Sequence, residues 1–137
     1  MKIYTRTTLL LMTLLTMGCN NTATTEANNT ESTIELNDGN KWEVNAEMSP
    51  FILNGEKILQ EYTGTDYAML AEQLAEQNAQ LISSCTMSGE SHNQLHAWLM
   101  PHLKLVDALK KTVNENEAKK NIADLKTSFL TYHKYFK

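Results

Sequence analysis

The chain has 137 residues, with 12 Lys and Arg against 16 Asp and Glu, and a formal net charge of −4. A chain of this length makes one small domain after any processing. An acidic balance with no basic stripe speaks against nucleic acid as a partner.

The first segment is predicted to be a signal and not part of the fold. Lys2 and Arg6 give a positive start, Thr7 to Met17 is a short apolar stretch rich in leucine, and Gly18-Cys19 follows. A charged start, an apolar stretch of this length and a small residue before the cut make a secretory signal. The stretch is too short for a dedicated membrane span. The ending Leu15-Thr16-Met17-Gly18-Cys19 resembles the bacterial lipobox, with Thr16 where that pattern usually has Leu, Val or Ile. The resemblance implies a signal peptide over residues 1–18 and lipidation of Cys19 as the new first residue. It also implies attachment to the membrane through that lipid, in the bacterial cell envelope, on the periplasmic or the surface leaflet. Without Lys2 and Arg6, 10 basic residues remain against 16 acidic ones, a charge of −6.

Residues 19–33 are predicted to be a flexible linker, because Asn20 to Thr33 carry almost no apolar side chains and cannot bury enough surface to fold. Residues 34–137 form the expected domain. Alternation on both sides of Asp38-Gly39 predicts a short hairpin or an ordered turn, with Trp42 covering one end of the core.

Four helices follow. The first is expected from about Asn45 to Tyr62, with Met48, Ile52, Leu59 and Tyr62 on one side and Pro50 near its start. The second opens on Thr65 or Asp66 as a cap and carries the stripe Tyr67, Leu70, Leu74, Asn78, Leu81 and Cys85. The third runs from about Glu90 to Val113, with His92, Leu95, His96, Leu99, Leu103, Val106 and Leu109 on its inward stripe and a bend at Pro101. The fourth begins near Asn116, with Ala118, Ile122, Leu125, Phe129, Tyr132 and Phe136 inward. Gly64, Ser88-Gly89 and Asn114 to Asn116 mark the turns. Short connections predict an all-α, up-down-up-down four-helix bundle, preceded by the hairpin or turn and the tether. That topology gathers Met48, Cys85, Met87, His92, His96 and His133 at one end.

Cys85, Met87, His92 and His96 are four soft or borderline metal ligands within twelve residues. His92 and His96 stand four apart and share a helix face, which suits chelation of one ion, and Met100 continues that face. Thiolate, thioether and imidazole together favour copper(I), with zinc second, over calcium or magnesium. If Cys19 carries lipid, Cys85 has no partner in the chain, which suggests intermolecular pairing or a reactive or metal-bound thiol, with a buried structural cysteine as the bland reading. His133 is either a ligand or a cation at a helix C-terminus. His102 is expected to face solvent or a neighbouring helix and has no assigned role. No nucleophile elbow, oxyanion signature or paired-carboxylate motif is present, so the chain is not read as an enzyme.

The stretches Val106-Asp107-Ala108-Leu109-Lys110, Glu117-Ala118-Lys119, Leu125-Lys126-Thr127 and Tyr132-His133-Lys134-Tyr135 resemble the end of the soluble cytochrome b562 family, over roughly residues 105 to 136. Those proteins are exported four-helix bundles that hold a non-covalent haem between a methionine early in helix one and a histidine late in helix four. The resemblance implies Met48 and His133 as haem b ligands in an electron carrier. The chain departs from that family in having the Cys85, Met87, His92 and His96 cluster, and in Pro50 two residues after Met48. Residues 85 to 95 are also similar to uncharacterised lipoproteins of Bacteroidota-type bacteria. Three expectations result. The chain is a lipid-anchored protein binding a transition metal, with a redox or metal-transfer partner in the envelope; or a b562-like haem carrier; or a non-catalytic structural or interaction module.

Overall fold

The computed structural model describes residues 33–137. Cys19, the signal peptide and nearly all of the tether expected from the sequence lie outside the described residues. Four helices make a bundle: α1 (Ser49–Glu61), α2 (Tyr67–Ser83), α3 (Gly89–Lys111) and α4 (Glu115–Tyr135). Each helix packs on the next in sequence, and α1 meets α4 over a smaller shared face. Among the described residues no helix is long and apolar enough to cross a membrane.

The turn before the bundle has the geometry that its residues demand. Asp38 (φ 48°) and Gly39 (φ 83°) both take left-handed backbone, and Asn37 and Asn40 exchange two main-chain hydrogen bonds of 2.9 and 2.8 Å. Positive φ at both central residues is what a two-residue hairpin turn requires, hence Asp-Gly. The chain then runs beside its own far end. Trp42 N–H donates to the Tyr135 carbonyl at 2.8 Å, Lys137 N–H to the Trp42 carbonyl at 3.0 Å, and Val44 N–H to the Lys137 carbonyl at 3.0 Å. Trp42 and Phe136 thus pair in parallel, and the half-buried indole packs on the core with its Nε1–H on the Glu35 carbonyl.

Local chemistry sets the helix ends. Pro50 falls in the first turn of α1, where its missing N–H costs nothing. The helix therefore starts at Ser49 and not at Asn45, whose side chain is used elsewhere. Asp66 caps α2 by accepting from Met69 N–H at 3.0 Å. Asn114 caps α4 by accepting from Asn116 and Glu117 N–H, with Glu115 and Glu117 favourably placed in its first turn. α3 runs unbroken through Pro101, although proline leaves the Ala97 carbonyl without its usual intrahelical donor.

The core holds the stripes expected on α1, α2 and α4: Met48, Ile52 and Leu59; Leu70, Leu74 and Leu81; Ala118, Leu125, Phe129 and Tyr132, with Phe136 just beyond. The α3 stripe is corrected. His96 is exposed and Leu103 half-buried, while Trp98 and His102 are buried. Leu95, His102 and Leu109 are seven apart, the repeat of a bundle seam. A stripe drawn strictly at helical spacing from His92 drifts off that seam.

Candidate functional site

The α2–α3 connection carries the first two candidate ligands. Ser84 N–H bonds back to the Gln80 carbonyl at 3.0 Å and Cys85 N–H to the Ile82 carbonyl at 3.3 Å, ending α2 in a tightened turn. Asn45, just ahead of α1, then clamps the connection. Its Nδ2 donates to the Ser84 carbonyl at 3.2 Å, and its Oδ1 accepts from Thr86 N–H at 3.3 Å. Gly89, at φ 68°, turns the chain into α3 through backbone that side chains disfavour. Cys85 and Met87 are both half-buried and packed against the core edge.

His92 and His96 occupy the first turns of α3, half-buried and exposed respectively. Their ring centroids are 4.5 Å apart and nearly perpendicular, at 82°. The nearest carboxylate in sequence, Glu90, is engaged by the next turn of its own helix. Gln94 and Asn93 donate to its two oxygens at 2.8 and 3.2 Å, and these hydrogen bonds hold it below the usual carboxylate range. Gln94 Oε1 also accepts from Glu35 N–H at 2.9 Å, tying the N-terminal segment to this end of α3. Among the described residues no three His, Cys, Asp or Glu side chains converge as a metal-binding group. Two imidazoles meet, while Cys85 packs against the core edge.

Met48 and His133 are placed differently. Met48 is fully buried at the N-cap of α1. His133, on α4, directs Nε2 to Glu56 Oε2 on α1 at 2.8 Å, with side-chain exposures of 41% and 18%. That ring nitrogen already has a carboxylate partner bridging the sparsely joined α1–α4 face.

The buried histidine is His102, to which the sequence assigned no role. It is 1% exposed, lies 4.9 Å from the rings of both Trp98 and Phe129, and reaches Ser128 Oγ with Nδ1 at 3.0 Å. Trp98 Nε1–H donates to the Ser128 carbonyl at 2.8 Å, so one residue of α4 anchors two rings of α3. Nε2 of His102 has no hydrogen-bond partner. Burial pushes its pKa down to about 4, so the ring is neutral at ordinary pH. The seven-residue repeat through Leu95 and Leu109 was the signal that pointed inward.

No protein family, curated protein or solved structure matches this chain.

Proposed function

We propose that this chain is a lipid-anchored protein of the bacterial envelope that binds a soft transition-metal ion, copper before zinc, at one end of an up-down-up-down bundle. The observation that carries the reading is the His92–His96 pair. With metal–nitrogen bonds of about 2 Å, an ion sits roughly 3 Å from each ring centre, so two imidazoles on one ion lie roughly 4.5–5 Å apart. The observed separation of 4.5 Å lies at the edge of that range. Cys85 and Met87 lie in the connection directly before α3 and add a thiol and a thioether to the same end. The short connections favour alternating helix directions, which brings the end of α2 beside the start of α3. Asn45, just before α1, bonds to that connection, in keeping with the same topology.

The chain holds and passes an ion, and its counterpart is a redox or metal-transfer partner in the envelope. Binding requires neutral imidazoles and, where Cys85 takes part, a thiolate, so affinity falls as the solution is acidified.

Metal analysis of protein purified from its native envelope tests this, repeated on Cys85→Ala and His96→Ala. Bound copper or zinc that falls in His96→Ala supports the reading, and unchanged metal content in both variants overturns it. A Soret band on adding haemin would move the assignment to a b562-like haem carrier using Met48 and His133. If neither metal nor haemin raises the melting temperature, the chain is a structural or interaction module, because a ligand specific to the folded state must stabilise it.

A further inference from the structure

Resting on that metal reading, we infer that Met100 is the thioether ligand of the site and makes it selective for copper(I) over zinc. His92, His96 and Met100 succeed one another at four-residue steps, and each step of that size returns to the same helix face. The contact between the two imidazoles establishes the line of this face. Side chains on a helix lean toward its N-terminus and cover the turn before their own Cα. Met100 therefore covers the turn that carries His96, as His96 covers the turn of His92. An ion held at His96 then has an imidazole on one side and a thioether on the other.

The surroundings of Met100 suit a soft ion. The seam of α3 passes through Leu99 and His102 and leaves Met100 outside it, 50% exposed next to exposed His96. It lines a shallow groove between α2 and α3 whose apolar members include Ala75, Ala79, Ile82 and Leu103 and whose polar members are Asn78, Lys104 and Asp107. Asp107 is the carboxylate of that groove, and it already holds Lys111 Nζ at 2.9 Å. No third His, Cys, Asp or Glu among the described residues forms a metal-binding group with the histidine pair, and Met100 is the thioether that continues its face. A thioether adds affinity for copper(I) and little for zinc. Met87, the other thioether nearby, is packed against the core edge.

Copper(I) affinity is measured by competition with a bathocuproine chelator under reducing conditions, and zinc affinity with a chromogenic chelator. The full chain is compared with Met100→Leu, Met87→Leu and the His92→Ala/His96→Ala double variant. Leucine conserves volume at a half-exposed position, so the fold tolerates it. The expected result is a loss of about tenfold in copper(I) affinity for Met100→Leu, with zinc affinity unchanged. An unchanged copper(I) affinity in Met100→Leu overturns the inference, and a loss confined to Met87→Leu hands the role to that residue. If the parent chain binds neither metal better than the double variant, the histidine pair itself is not a metal site and the inference falls with it.

Discussion

Acidification should weaken this bundle through one residue, His102. An imidazole whose ordinary value is 6.5 becomes, in the folded chain, a base of about 4, because its ring is shut between Trp98 and Phe129 with no carboxylate beside it. The unfolded chain takes up the proton first. The stability that this group contributes is therefore fully present above about pH 6.5 and is lost as pH falls through 6.5 towards 4. At about pH 4 the loss is about 3 kcal/mol relative to neutral solution. That is a large part of the 5–15 kcal/mol typical of a whole domain, roughly. The perturbation is His102→Phe, which keeps an aromatic ring in the stack and removes the titration. Ser128 Oγ, losing the ring, can turn to a carbonyl of its own helix. Urea denaturation of parent and variant at about pH 7 and about pH 4 gives the comparison, and the surface carboxylates common to both cancel. The parent should lose about 3 kcal/mol more than the variant on acidification. Equal losses would mean that the ring is not shut off from solvent in the folded chain, and the reasoning would fail.

Gly55→Ala should stabilise the protein by about 0.5–1 kcal/mol in thermal or urea melts, because a helical Cβ there meets Phe129 Cζ at 3.5 Å and Gln77 Cβ at 3.7 Å, ordinary contacts. A destabilised variant would show that α1 packs more tightly on α4 than those distances allow. Leu74→Ala should cost about 2–5 kcal/mol, since Leu74 is 1% exposed in the middle of the seam; a cost of a few tenths of a kcal/mol would remove it from the core. Asn45→Ala frees the α2–α3 connection from both of its clamping hydrogen bonds and should cost about 1–2 kcal/mol. The same change should speed alkylation of Cys85 in the native protein, and an unaltered rate would show that the connection is held by other contacts.

Much of the fold is written in apolar spacing. Leu70, Leu74 and Leu81 on α2, and Ala118, Leu125, Phe129 and Tyr132 on α4, sit inward as helical periodicity requires, and Asp66 caps where its side chain suits the role. The α3 stripe was legible only in part. His92, Leu95, His96 and Leu99 alternate polar and apolar residues closely enough to suit more than one rotation of the helix. The register was settled by partners on another helix: Ser128 receives Trp98 and His102 from across the bundle. No spacing within α3 encodes a serine on α4. The nearness of His92 and His96 could be read from their four-residue step, because it is a property of one helix. Whether Cys85 reaches them depends on the path of a connection fixed by Asn45, some forty residues earlier, and lies beyond local pattern. His133 illustrates the same limit, since its Glu56 partner comes from the first helix of the bundle.

The main-chain pairing of Trp42 and Val44 with Tyr135 and Lys137 also has a consequence in time. These three bonds join residues from opposite ends of the described chain, so the Trp42–Val44 stretch completes its main-chain pairing only once the last turn of α4 has been made. Until then the Trp42 main chain lacks its partners at the end of α4. In a Trp98→Phe variant, where Trp42 is the remaining indole, the fluorescence should therefore report a late step of folding, with a blue shift that lags behind the far-ultraviolet signal of helix formation.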